Sequence, residues 1–203
     1  LFQLPILLNF EQTLLRMSYL KSALRQFQYY KLLGEKAMLQ LNDEQLFISP
    51  NQEVNSIAII VQHLWGNMLS RWTDFKTTDG EKPWRLRDAE FESENLTRAQ
   101  LMKKWNDGWD CLFAAIESTK EEELNQLIYI RNEGHTILEA FNRQIAHYSY
   151  HVGQIVFMAK LLVQNEWQSL SIPHNQSNEY NSEKFQQKKS IHHFIDEWLK
   201  KDQ

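Results

Sequence analysis

The chain has 203 residues, with 22 Lys and Arg against 26 Asp and Glu, a formal net charge of −4. Six glycines and four prolines fall well short of the roughly 12% usual for these residues, which excludes the many tight turns of a β-sandwich or barrel. The acidic balance speaks against a nucleic-acid binder, and a single cysteine, Cys111, excludes an internal disulfide framework and a multi-cysteine zinc site.

At the start of the chain, Ile6-Leu7-Leu8 is apolar but Asn9, Glu11 and Gln12 interrupt it. No basic segment precedes it, and it falls far short of the ~20 residues of a membrane span. Residues 1–16 therefore read as an upstream or non-native extension ahead of a start at Met17. Residues 17–164 read as one helical domain, and 165–203 as a C-terminal arm.

Leu20, Ala23, Leu24, Phe27, Leu32, Leu33, Ala37 and Leu41 recur at helical spacing and predict a first helix over 18–41. A break over Asn42–Asn51 precedes a second helix from about Val54 to Phe75, with Ile57, Ile60, Val61, Leu64, Trp65, Met68 and Trp72 as its apolar set. Residues 76–95 read as a loop, long enough to suggest a functional segment. Trp84 and Phe91 are expected to pack that loop onto the body, with Trp84 able to line a pocket. Thr97 to Gln100 has capping-box form and opens a third helix to about Ser118. Leu127–Ile130 followed by Asn132-Glu133-Gly134 predicts a small hairpin. Thr136 to Glu139 is a second capping box, opening a fourth helix to about Val163. Beyond it, 165–189 is polar, and Ile191, Phe194, Ile195, Trp198 and Leu199 predict a short last helix. That helix either folds back on the body or clasps a second subunit. The expected class is all-α, a four-helix bundle with a long loop between helices two and three.

Of seven histidines, His147 and His151 are the informative pair. At i, i+4 they share one helix face and can bind one metal ion, although on this spacing alone two histidines are most often ordinary. They and His63 fall at or just beyond the edges of the apolar stripes, where a bundle opens to solvent. If helices two and four are neighbours, a three-histidine site becomes possible. His135 is expected to cap a turn, and His192 and His193 to be exposed. Cys111, among Trp109, Leu112 and Phe113, reads as a buried inert thiol. Gly66 and Gly153 lie inside predicted helices close to His63 and His151, and are expected to let helices two and four approach closely.

These residues carry a resemblance. His63-Leu64-Trp65-Gly66-Asn67, Arg71-Trp72-Thr73-Asp74-Phe75, Asp79-Gly80-Glu81-Lys82, Trp84-Arg85, Arg87-Asp88, Tyr129-Ile130-Arg131 and His147-Tyr148-Ser149-Tyr150-His151-Val152-Gly153-Gln154 together resemble the DinB/YfiT-like superfamily over roughly residues 18–180. Ser169–Pro173 fits as well. The resemblance implies a bacterial, homodimeric four-helix protein in which His63, His147 and His151 hold a divalent metal, and the single cysteine suits a reducing cytoplasm. Zinc, nickel and iron all suit imidazole ligands. Related superfamily members include transferases and isomerases that use low-molecular-weight thiols.

Thiol transfer to a small-molecule substrate is the leading expectation. Metal-assisted hydrolysis and a non-catalytic, stress-related metal-binding module stand beside it. Asn67, Gln144 and Gln154 lie close to the histidines, where amides orient a metal ligand or hold substrate, or simply occupy a half-exposed face. Arg71 and Asp74 bind an anionic substrate, orient a histidine, or form a helix-end ion pair. Arg85, Arg87 and Arg131 meet carboxylates of a substrate or of this chain.

Overall fold

A computed structural model describes residues 18–190 and 192–200. The expectations for residues 1–16, for a start at Met17 and for Ile191 lie outside the described residues. In chain order the helices are α1 (Tyr19–Leu39), α2 (Ile57–Trp72), α3 (Arg98–Glu117), α4 (Ile137–Val163), α5 (Ser177–Gln186) and α6 (Asp196–Lys200). Strands β1 (Leu127–Ile130) and β2 (Glu133–Thr136) form one antiparallel hairpin between α3 and α4. The fold is thus mostly helical with a small two-stranded sheet.

Side-chain oxygens at the N-caps set where the long helices begin. Ser18 Oγ accepts from the Lys21 amide and Ser56 Oγ from the Ile59 amide. Thr97 with Gln100, and Thr136 with Glu139, form the two reciprocal capping boxes that the sequence predicts. The Ser56 cap corrects the expected start of the second helix, since Val54 lies before it and is exposed. The helix also ends before Phe75, because Asp74 adopts a left-handed conformation (φ 47°) and reverses the chain.

α1 packs along α4 and α2 along α3, while α2 also meets α4. Between them lies an aromatic core. Phe27 contacts Trp109 and Tyr148, Trp105 contacts Trp109, and Trp72 stacks on Phe141 at 4.7 Å. All six rings are buried. Such residues each bury roughly 150–250 Å² and dominate core energetics.

α2 is the innermost long helix, and every residue of it except Trp65 and Leu69 is buried. The segment after it folds back over its remaining face. Gln62 Nε2 donates to Ala89 O at 3.0 Å, and Ser70 Oγ donates to Gly80 O while accepting from the Lys82 amide. This corrects the expectation that His63 sits at an open stripe edge: it is buried. Within this segment Phe91 reaches His63, whereas Trp84 is exposed.

The glycines beside the histidines do not draw α2 and α4 together. A Cβ on Gly66 would lie 2.2 Å from Glu90 Oε1, and one on Gly153 would meet nothing within 4 Å. The close helix approach is at Gly108, where a Cβ would lie 3.2 Å from Trp65 Cα, so it is α2 and α3 that the missing side chain lets together.

The hairpin turn is Arg131–Asn132, both left-handed (φ 56° and 62°), as a two-residue type I′ loop requires. Asp79 accepts hydrogen bonds from both their amides at 2.8 Å. Gly134, expected in the turn, pairs with Tyr129 inside the sheet. His135 lies opposite Ile128 in the ladder with Nε2 buried and unpartnered, so it caps no turn.

The C-terminal arm contains α5, which sequence periodicity does not reveal because its two aromatic residues, Tyr180 and Phe185, form no apolar stripe and it buries no residue. The segment around α6 folds back on α1 of the same chain. Ile195 is fully buried, Arg25 pairs with Asp196, and Ser22 Oγ is hydrogen-bonded to His193 Nε2. His193, expected to be exposed, is buried by that contact, while Phe194 is exposed.

Candidate metal centre

His147 and His151 lie one turn apart on α4, and His63 faces them from α2. His63 Nε2 lies 3.4 Å from His147 Nε2, and His151 Nε2 lies 3.1 Å from the same atom. The three residues form a cluster with one ligand atom from each within 4.8 Å of the others.

The opposite nitrogen of every ring is anchored. His63 Nδ1–H donates to Glu90 Oε2 at 2.9 Å, His147 Nδ1–H to Gln144 Oε1 at 3.2 Å, and His151 Nδ1–H to Gln154 Oε1 at 2.8 Å. A carboxylate or amide oxygen only accepts, so each Nδ1 carries the ring proton. In the neutral rings each Nε2 then presents a lone pair, with the Nε2 atoms of His63 and His151 both close to that of His147. Burial pushes the His147 pKa down to about 3, aided by His151, His63, Arg71 and Arg85. Burial also lowers that of His151, against the Gln154 hydrogen bond. Neutral imidazole is the metal-ligating form.

The spacing fits a metal as well as the protonation does. Two nitrogens each about 2.0–2.1 Å from one zinc ion, at a tetrahedral angle, lie about 3.3–3.4 Å apart. The observed 3.1 and 3.4 Å separations match that distance.

Glu90 is the functional residue that sequence reasoning did not single out. It is buried, and Arg85 grips it with Nε to Oε1 at 2.7 Å and Nη2 to Oε2 at 2.9 Å. Burial raises its pKa, but the hydrogen bonds from Arg85 and His63 outweigh this and hold the carboxyl below its ordinary range. A signal was present in Gly66, whose missing Cβ makes the room that the Glu90 carboxylate fills. Phe91 lies over the His63 ring at 4.9 Å and closes its other side.

The remaining candidates divide. Gln144 and Gln154 orient His147 and His151 as described. Asn67 touches no histidine: its Oδ1 accepts from Tyr148 OH at 3.1 Å, and that hydroxyl accepts from Trp72 Nε1. This buried chain ties α2 to α4 directly beneath the histidines. Arg71 is buried on α2 and forms no helix-end pair with Asp74, which is exposed. Arg85 and Arg131 meet carboxylates of this chain, Glu90 and Glu81 for the first and Glu81 for the second. Arg87 lies over the Phe91 ring. Cys111, expected to be buried, is only half-buried, and burial still raises its thiol pKa, in keeping with an inert side chain.

A family model described as a protein of unknown function, DUF1572, matches residues 15–176. No curated protein and no solved structure matches the chain. Among the described residues, no helix is long and apolar enough to cross a membrane.

Proposed function

The chain belongs to the DUF1572 family, and on that premise we propose that it is a divalent-metal-dependent enzyme whose ion is held by His63, His147 and His151. One observation carries this reading: three Nε2 atoms converge at metal-ligand spacing while each Nδ1 is fixed by its own acceptor. Three neutral imidazoles facing one another without a cation gain nothing from the arrangement. The four long helices are read as the four-helix bundle of DinB/YfiT-like proteins.

A divalent ion held by three neutral ligands supplies uncompensated positive charge, which acidifies a thiol or water brought beside it and polarises a substrate oxygen. The chain's own residues prepare the place. Glu90, Gln144 and Gln154 hold the rings in one tautomer and orientation, as partners of metal-ligating histidines generally do. Arg85 keeps Glu90 charged, and Phe91 with the 79–91 segment shields His63 from water. His147 and His151 are only half-buried, so a small molecule reaches the centre from their side. The reaction class proposed is transfer of a low-molecular-weight thiol to an electrophilic substrate. The homodimer has a candidate face on α4, where Tyr150, Phe157 and Leu161 are exposed at helical spacing.

The test is elemental analysis of protein reconstituted with zinc, nickel or iron, repeated on His63→Ala, His147→Ala and His151→Ala. Each variant is expected to lose most of its metal while keeping its helical circular dichroism. Full metal occupancy in all three overturns the centre. Conjugation of a model electrophile by a small thiol, with and without restored metal, then tests the reaction. Metal-dependent hydrolysis of esters or amides in place of conjugation reassigns the class, and no metal-dependent turnover leaves a binding module.

A further inference from the structure

Arg71 is the most poorly satisfied charged group among the described residues. The residue is only 4% exposed, yet Nε and Nη1 are buried without a hydrogen-bond partner. A buried guanidinium ordinarily recruits a carboxylate, because leaving such a charge desolvated and unpaired is strongly unfavourable. The neighbouring Arg85 obeys that rule, with Glu81 and Glu90 on it. Arg71 has no carboxylate partner among the described residues. Its packing is nevertheless specific. Gly80 leaves room for it, since a Cβ there would lie 2.9 Å from Nη1 and 3.2 Å from Cδ.

The location is informative. Arg71 lies on α2 two turns beyond His63 and one turn beyond Asn67, whose Oδ1 meets Tyr148 next to His147. Asn67 bonded to Tyr148 and Trp72 stacked on Phe141 bracket its turn of α2 against the stretch of α4 that carries His147, and Gly80 of the covering segment packs on Nη1. Arg71 therefore lies on the stretch of α2 that packs between the His147 region of α4 and the segment containing Gly80. Burial lowers its own pKa more than Tyr148 and Glu81 raise it, so the protein itself leaves the charge under-compensated.

We propose that Arg71 is the receptor for a carboxylate on the ligand of the histidine centre, so that the substrate class is a small carboxylic acid anion. The proposal rests on the metal reading above, since it places the reacting end of the same ligand at the histidines. A single negative charge suits the site better than two. Asp79 and Glu81 lie close enough to be felt by Arg71, and Arg85 already has Glu81 and Glu90, so a phosphate dianion meets stronger repulsion than a singly charged carboxylate.

The experiment uses zinc-loaded full-length protein and calorimetric titration with propionate, benzoate and 3-mercaptopropionate. Their uncharged amides and inorganic phosphate serve as the comparison. Carboxylates are expected to bind at least 10-fold more tightly than their amides and than phosphate. Arg71→Met is expected to lose that preference, to retain the wild-type zinc stoichiometry, and to melt at an equal or higher temperature without ligand, because it removes an unpaired buried charge. Arg71→Lys, which keeps charge and loses the planar fork, is expected to fall between, and it carries the test if the methionine variant does not fold. An Arg71→Met protein that binds carboxylates as the wild type does overturns the proposal. So does one that melts lower with the preference intact, which marks a structural arginine. Tighter binding of phosphate overturns the substrate class. Loss of zinc from the wild type instead overturns the metal reading, and the zinc measurement reports that separately.

Discussion

Glu90 serves two partners at once: it accepts from His63 Nδ1, and both its oxygens accept from Arg85. Glu90→Gln preserves shape and removes the charge. It weakens the anchor of one metal ligand and leaves the Arg85 guanidinium, whose side chain is 2% exposed, with only Glu81. Loss of such a partner of a ligating histidine typically costs 10–100-fold in metal affinity, and breaking a buried ion pair costs about 3 kcal/mol. Chelator competition and denaturant melts of the variant are expected to show both losses. Unchanged metal affinity would leave Glu90 a loop-anchoring residue alone. Nothing in the spacing of Glu90 sets it apart from the other acidic residues of 79–94. His147 and His151 were legible because four residues of one helix fix their relation; His63 and Glu90 belong together only through the path of the segment that covers α2.

At the scale of the element, the long helices were legible through their caps and periodicity, and the two capping boxes predicted at Thr97 and Thr136 form as expected. The burial of α2 on nearly all sides was not legible, because an apolar stripe describes one face and 79–91 covers the other. The same geometry makes two helical glycines behave oppositely on substitution. Alanine is worth about 1 kcal/mol over glycine inside a helix. Gly153→Ala meets no neighbour within 4 Å and is expected to raise stability by up to about 1 kcal/mol with unchanged metal affinity. Gly66→Ala places a methyl 2.2 Å from Glu90 Oε1. It is expected to push the carboxylate off His63 and lower both stability and metal affinity, against its helix propensity. Thermal melts with metal titrations separate the two, and equal gains in stability from both would mean that Glu90 yields freely. α5 shows the limit of periodicity: with no apolar face to bury, its helical conformation leaves no repeating signal in the sequence.

At the scale of the whole molecule, the aromatic core of Phe27, Trp105, Trp109 and Phe141 is built without the histidines, so metal and fold are coupled without being one. In the metal-free protein the His147 pKa lies at about 3 against an ordinary 6.5. The unfolded chain then binds its proton first as acid is added. Stability is full above pH 6.5 and falls as the pH drops toward 3. Glu90 acts in the same direction over a lower range: its carboxyl is held below its ordinary value of 4.5, so its contribution is complete above 4.5 and is lost beneath it. A bound ion adds stability by mass action, about 2.7 kcal/mol when free metal exceeds its dissociation constant 100-fold, and only while the three imidazoles are unprotonated. Melting temperatures of loaded and chelated protein are therefore expected to differ at pH 7.5, to keep that difference as the pH falls through 6.5, and to converge only as it approaches the His147 value of about 3, with the chelated protein still folded at neutral pH. In His147→Ala the gap between the two curves is expected to be small at every pH, and the acid slope between 6.5 and 3 to be shallower. Unfolding of the wild type on chelation at pH 7.5 would instead make the metal a structural element, and a gap that persists undiminished in His147→Ala would place the ion on ligands other than these histidines.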